Sequence, residues 1–268
     1  MTGLLIGGHV DQEDPIAEAK ARSAGLSQFF LGDPQGWKGP EFAYPGGAEA
    51  LKDAAGEAGI ALYVHAPYVI NVATSNNRIR IPSRKLLQQT LDGAAKIGAA
   101  GVIVHGGHVL AKDDPESGFE NWFKCVDRAE ISVPLLIENT AGGDRAMARH
   151  LSSIEKLWQA VSAVDADKRA DVGFCLDTCH FHAGGEELIG LVDRVKAITG
   201  RIDLVHANDS RDAFGSGADR HTNLGTGQAD PDGLAAVVRD AAAPVVVETP
   251  GGTDGQASDI EWLRQRVD

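Results

Sequence analysis

The sequence predicts an α/β fold closed as a single (β/α)8 barrel domain over residues 1–268, on three observations. Short apolar runs rich in β-branched residues alternate with stretches of helical periodicity along the whole chain. Eight such pairs are found, and 268 residues is near the roughly 250 that eight strand–helix units need. The rival, an open doubly wound sheet, would place a G-x-G-x-x-G phosphate loop after its first strand; Gly7-Gly8-His9-Val10-Asp11 lacks that spacing.

In order, strand and helix alternate as Leu4–Val10 and Ile16–Ala24, Gln28–Leu31 and Glu49–Ala58, Ile60–Val64 and Ser83–Ile97, then Gly101–Val104 and Phe119–Glu130. The second half runs Leu135–Ile137 and Met147–Val161, Val172–Leu176 and Glu186–Ile198, Ile202–Val205 and Gly233–Ala241, and last Val245–Val247 and Ser258–Val267. Ser83 and Ser258 are placed as helix N-caps, because a hydroxyl there accepts from the first free N–H groups. Gly59, Gly98 and Gly200 stand where helices are expected to stop.

Composition narrows the class. The chain is 43% hydrophobic and no apolar run reaches the roughly 20 residues of a membrane span, so a cytoplasmic chain without a membrane partner is expected. Three cysteines, Cys125, Cys175 and Cys179, are too few and too unevenly spaced for a disulfide framework and are read as buried thiols. The net charge of -13 argues against a nucleic-acid partner, except that bound cations can reverse the sign locally.

The strand ends carry the functional signal. The third strand ends in His65-Ala-Pro-Tyr68, the fourth in His105-Gly-Gly-His108, the fifth in Glu138-Asn-Thr140 and the sixth in Asp177-Thr-Cys-His180. The seventh ends in His206-Ala-Asn-Asp209 and the eighth in Glu248-Thr-Pro250, with Asp219-Arg-His221 in the loop between them. In a parallel barrel these ends converge on one mouth, where barrel active sites form. One histidine after a strand is ordinarily a hydrogen-bonded structural residue. Six strand ends in a row are another matter, since carboxylates and imidazoles crowded into one mouth are costly without cations. Nine candidate ligands result: His65, His105, His180, His206, His221, Glu138, Asp177, Asp219 and Glu248. Nine exceeds what one ion uses and suits two or three. Imidazole-rich, thiolate-free sites favour Zn2+ over Mn2+ or Fe2+. Of the other histidines, His9 is placed at the mouth without binding metal and His150 on a helix facing solvent. His108 and His182 are placed one turn beyond ligands, either as groups that orient them or as loop residues alone.

These residues resemble the endonuclease IV (deoxyribonuclease IV) family of apurinic/apyrimidinic endonucleases. The resemblance is carried in family order by His65-Ala-Pro-Tyr-Val-Ile-Asn71, Val104-His105-Gly-Gly, Glu138-Asn-Thr-Ala-Gly142, Cys175-Leu-Asp177-Thr-Cys-His180, His206-Ala-Asn-Asp-Ser210, Asp219-Arg-His221 and Glu248-Thr-Pro250. It implies a TIM barrel with three Zn2+ in its mouth, with Mn2+ or Fe2+ at some sites, in a monomer that cuts double-stranded DNA 5′ of abasic sites. It further implies that His65, His105 and Glu138 hold one ion, that Glu138, Asp177, His206 and Glu248 hold a second, and that His180, Asp219 and His221 hold a third. Glu138 would bridge and position the attacking hydroxide; Glu248 would orient or deprotonate it.

The chain departs from the family where DNA is gripped. Members carry an Arg in the loop after strand two, whereas Leu31-Gly-Asp-Pro-Gln35-Gly36-Trp37 has none, and Tyr68-Val69 replaces a Tyr-Leu step. Extrusion of the lesion is therefore expected to rest on Tyr68, on Trp37 or on the lesion's own flexibility, with Gln35 a candidate DNA contact. Arg145, in an altered loop beside Glu138, and Arg211 and Arg220 are candidate phosphate contacts, as are Arg78, Arg80, Arg84 and Lys85. Two other readings were weighed. A divalent-metal sugar isomerase or epimerase on the same barrel would place a catalytic Lys at a strand end, and none is seen; a non-catalytic zinc- or DNA-binding protein would have closed metal shells.

Overall fold

The computed structural model describes residues 3–267. Its elements run β1 (Ile6–His9), α1 (Pro15–Ala21), β2 (Leu26–Phe30), α2 (Gly47–Ala58), β3 (Ala61–His65), α3 (Asn77–Lys96), β4 (Gly101–His105), α4 (Glu116–Arg128), β5 (Leu135–Glu138) and α5 (Leu151–Ser162). They continue α6 (Ala166–Ala170), β6 (Val172–Asp177), α7 (Thr178–Gly184), α8 (Leu191–Thr199), β7 (Leu204–His206), β8 (Asp209–Ser210), β9 (His221–Thr222), α9 (Pro231–Ala241), β10 (Val245–Val247) and α10 (Gly252–Val267). Eight strands close a barrel in the order β1-β10-β7-β6-β5-β4-β3-β2, every neighbouring pair parallel. The barrel expected from the alternation is the one observed. No helix of the described residues is long and apolar enough to cross a membrane.

Side-chain alternation along the strands explains how the mouth is furnished. An inner layer of Leu26, Tyr63, Ile103, Leu136, Cys175, Leu204 and Val246 fills the barrel below the mouth. Residues two further along a strand share a face, so the next inward positions are Gln28, His65, His105, Glu138, Asp177, His206 and Glu248. The dry inner layer is thus the floor of a polar cluster. Outward-facing Val64, Val102, Val104, Ile137 and Phe174 pack under the helices in the larger core, each contributing about 1.5–3 kcal/mol of burial.

Several expected boundaries move. α3 starts at Asn77 and not at Ser83: the Asn76 side chain caps it by accepting from the Arg78 N–H at 3.0 Å. Pro82 sits inside that helix, and buried Ser83 instead accepts from the Asn71 N–H at 2.9 Å. α10 starts at Gly252, so Ser258 is internal and its hydroxyl donates to the Asp254 carbonyl at 2.9 Å. The stretch 147–150 belongs to a loop, and His150 is the residue that precedes α5, with its side chain half exposed. The helix expected over 186–198 is α8, which begins only at Leu191; a separate short helix, α7, precedes it directly after β6.

Candidate metal centre

Five of the nine candidate residues, His65, His105, Glu138, Asp177 and His206, are the last residues of their barrel strands, and Glu248 follows β10 directly. His180 lies in the first turn of α7, where the Asp177 carboxylate caps the helix by accepting from the His180 N–H at 2.6 Å. His221 begins β9, which pairs antiparallel with β8, and Asp219 stands two residues before it. The structure brings all nine into one cluster.

Their donor atoms sort into three groups. His65 Nε2 and His105 Nε2 each lie 3.3 Å from Glu138 Oε2. The other Glu138 oxygen, Oε1, is 2.9 Å from His206 Nδ1, which is itself 3.4 Å from Glu248 Oε2 and 4.0 Å from Asp177 Oδ2. Asp219 Oδ1 is 3.1 Å from His180 Nε2 and 3.2 Å from His221 Nε2. Within each group the donor atoms all lie within 4.8 Å of one another, and Glu138 belongs to two of the three; two further groupings at the same spacing include a cysteine, Glu138 with Cys175 and His206, and Asp177 with Cys179 and His221.

The tautomers of four imidazoles follow from what holds their other nitrogen. His65 Nδ1 donates to the Ala66 carbonyl at 2.8 Å, His180 Nδ1 to the Asn139 carbonyl at 2.8 Å, and His206 Nε2 to Gln28 Oε1 at 2.8 Å. His221 Nδ1 faces the Glu248 carbonyl at 3.4 Å. In each case the other nitrogen is the one turned into the cluster, the arrangement a metal-ligating histidine needs. Gln28 also donates to Glu248 Oε1 at 2.7 Å. Asn208 donates to Asp177 Oδ2 at 2.7 Å and accepts from the Glu248 N–H at 2.8 Å, while Asn139 brackets the Asp177 backbone. These three amides are functional positions that strand-end reasoning missed; the signal was a polar residue at an inward position of β2, and a polar neighbour after the ligands of β5 and β7.

Charge is concentrated here at low dielectric. Burial would raise the Glu138 carboxyl, but His206, His105 and His180 hold it well below the usual carboxylate range. Burial would likewise lower His180 and His206. Around His180, Asp177, Asp219 and Glu138 outweigh it, and around His206, Cys175, Glu248 and Glu138 do, so both imidazoles are raised well above their ordinary value. His221 is pushed up to about 8 against its own burial by Asp219 and Asp177. His65 goes the other way, lowered because its burial exceeds the pull of Glu138. Asp177 is raised by burial.

The donor set fits divalent cations. The Nε2 atoms of His180 and His221 are buried without a well-formed hydrogen bond, and Asp219 Oδ1 lies 3.1 and 3.2 Å from them, so two imidazole nitrogens and a carboxylate oxygen meet as one donor set. Cys175 lies below in the inner layer and Cys179 beside the cluster, and burial pushes both thiols up to about 12, in keeping with packing roles.

Other candidates fall as follows. His9 ends β1 at the mouth, with Nδ1 3.4 Å from Glu248 Oε1. His108 and His182 do not orient ligands: His108 pairs by backbone with Ala146 and contacts Asn71, and His182 Nε2 donates to the Asp212 carbonyl at 3.1 Å. Tyr68, half exposed, overhangs the cluster with its ring stacked 5.7 Å from His105. Its N–H donates to the Pro34 carbonyl at 2.9 Å, tying it to the loop that carries Gln35 and the exposed Trp37. Arg220 is engaged by Asp212, through Nε at 2.8 Å and again through Nη2, while Arg211 is exposed and Arg145 half-buried. Arg80 and Arg84 spend their guanidinium groups on the Thr74 and Asn121 carbonyls; Arg78 and Lys85 are exposed.

Comparison with known proteins bears on this mouth. A family model described as a xylose isomerase-like TIM barrel matches residues 18–266. The chain is 55% identical over 264 residues to a probable endonuclease 4 of Mycobacterium tuberculosis, covering 98% of this chain and 99% of that protein. The crystal structure of endonuclease IV from Thermus thermophilus superposes with a TM-score of 0.83 at 27% identity, covering 98% of each chain. A D-tagatose 3-epimerase-like protein superposes at 0.77 over 98% of this chain and 97% of its own, but at 17% identity it shares the fold alone.

Proposed function

This chain belongs to the endonuclease IV family of xylose isomerase-like TIM barrels, and from that premise we propose that it hydrolyses the phosphodiester on the 5′ side of abasic sites in double-stranded DNA. Water adds at phosphorus and loses a proton, and the P–O3′ bond breaks. The products are a 3′-hydroxyl and a 5′-deoxyribose phosphate. The observation that carries the reading is the sorting of nine donors into three groups with Glu138 common to two.

Three Zn2+ per chain suit those groups, with Mn2+ or Fe2+ at some of them: His65, His105 and Glu138 for one ion, Glu138, Asp177, His206 and Glu248 for the second, and His180, Asp219 and His221 for the third. Such ions supply Lewis acidity toward a phosphodiester and depress the pKa of the attacking water. They also more than neutralise the four ligand carboxylates, so an acidic protein offers a phosphate an attractive mouth.

The chain's own residues do the rest. Glu138, gripped by imidazoles on both oxygens, stays ionised and fixes the geometry in which water is held. Glu248 is kept ionised against its burial by His206 and His9, and as an anion it would orient the attacking water or accept its proton. Tyr68 presents its ring at the rim for stacking, and Trp37 and Gln35, on the loop that Pro34 ties to it, would add further DNA contacts. Arg145 and Arg211 are placed as phosphate contacts, and Arg220 as one whose charge Asp212 already offsets. The protein works as a monomer, in the cytoplasm.

The test is incubation with an end-labelled duplex bearing one abasic analogue, with and without a strong chelator. A single nick 5′ of the analogue, with a 3′ end that a polymerase extends, abolished by chelator and restored by Zn2+, is expected. Full nicking by protein from which the metal has been removed, its absence confirmed by elemental analysis, or no nicking by Zn2+-loaded protein, overturns the reading.

A further inference from the structure

Asp209 contributes no donor to the cluster, yet it is fully buried and carries an unusual set of partners. Its Oδ1 accepts from the N–H groups of Ser210 at 2.7 Å and Ala229 at 3.0 Å; its Oδ2 accepts from Gly225 at 3.0 Å and Gly227 at 2.8 Å. A carboxylate buried without a cation is sustained only by such a set of donors. Three of the four donors come from one loop, residues 223–229, which leaves β9 directly after His221-Thr222.

Further anchors hold the loop elsewhere, Gln228 N–H donating to the Ser210 carbonyl at 2.7 Å and Asn223 and Leu224 donating to the Asp259 carboxylate at 2.8 and 2.9 Å, but Asp209 is the side chain that ties three of its backbone N–H groups to β8. β9 meets β8 over two residue pairs, Asp209 with Thr222 and Ser210 with His221, and the Asp219 side chain is half exposed. The approach is too close for a side chain: a Cβ on Gly227 would lie 2.3 Å from the Ser210 carbonyl oxygen and 2.4 Å from Asp209 Oδ1. Gly225 holds φ +74°, a left-handed conformation that glycine adopts without strain.

We infer that Asp209 is a positioning residue for the third metal group, acting through the 223–229 loop to hold β9, and with it His221 and Asp219, against His180. This rests on the three-ion reading above. Asp209→Asn keeps the size but turns an amide N–H2 toward backbone N–H donors, so the loop loses at least one of its anchors.

The experiment is Co2+ titration of the metal-free protein, read by the visible spectrum and by equilibrium dialysis. The parent is expected to take up three ions. Asp209→Asn is expected to bind two with parental affinity and the third at least about tenfold more weakly, the scale at which groups that hold a ligand in place act, and to lose the band of the third equivalent. Gly227→Ala, which keeps Asp209 and displaces the same loop, is expected to do likewise, and stands in if Asp209→Asn does not fold. Three ions bound with parental affinity by a folded variant, whatever its melting temperature, overturns the assignment. A parent that takes up only two ions removes the three-ion reading itself, and this inference falls with it.

Discussion

The two halves of the mouth are built differently. On one side His65, His105, Glu138 and His206 are strand-end residues, buried or nearly so, their backbones held by neighbouring strands; His65 pairs with Phe30, and Glu138 pairs with both His105 and Cys175. On the other side Asp219 and His221 stand on a two-pair hairpin, and Asp219 is half exposed. A donor on a barrel strand is already ordered when an ion arrives. A donor on a loop must be ordered by something else, or the cost of ordering it comes out of the binding energy. The strand-borne groups are therefore expected to bind tightly and the hairpin-borne group to be the one that other residues tune.

The substitution that strikes hardest at this contrast is Glu138→Gln, because Glu138 joins the two strand-borne groups. It is expected to lower kcat on the order of 10³-fold or more, with a much smaller change in KM. A kcat within about tenfold of the parent would take Glu138 out of the reaction. Next is Gln28→Leu, which strips His206 Nε2 and Glu248 Oε1 of their shared partner. Metal affinity of the group around His206 is expected to fall about 10–100-fold while the His180 group is unchanged. Equal weakening of every group would erase the distinction between the halves. Tyr68→Ala removes a rim contact and no donor, so metal content is expected to hold while kcat/KM falls roughly tenfold, the scale of about 1–3 kcal/mol per stacked base. Smallest is Gln35→Arg. It adds a cation where the family's Arg is missing and is expected to tighten DNA binding a few-fold at physiological salt, steepening the salt dependence by about one counterion.

The same contrast governs what could be read from the sequence. The strand-borne donors were legible because each follows an apolar β-branched run, and barrel topology alone brings such ends together. The orienting amides were not. Gln28 sits inside a strand and reads as one polar residue in an apolar run, until the pairing of β1 with β2 sets it beside His9. Helix starts failed for a physical reason as well. Ser83 reads as a cap for its hydroxyl, yet Asn76 caps the helix earlier and Pro82 is carried inside it, where it removes one helical hydrogen bond and crowds the carbonyl four residues back. Gly255, near the start of α10, is a glycine because a Cβ there would lie 2.4 Å from the Pro250 carbonyl oxygen. Close approach and flexibility look alike in a sequence.

The central claim is that three ions share this mouth, two of them through Glu138. Anomalous diffraction from crystals of the Zn2+-loaded protein, measured above and below the zinc edge, tests it most directly. Three peaks are expected, one among His65, His105 and Glu138, one among Glu138, Asp177, His206 and Glu248, and one among His180, Asp219 and His221. A single peak, or peaks that leave Glu138 outside every coordination sphere in crystals of active protein, would contradict it.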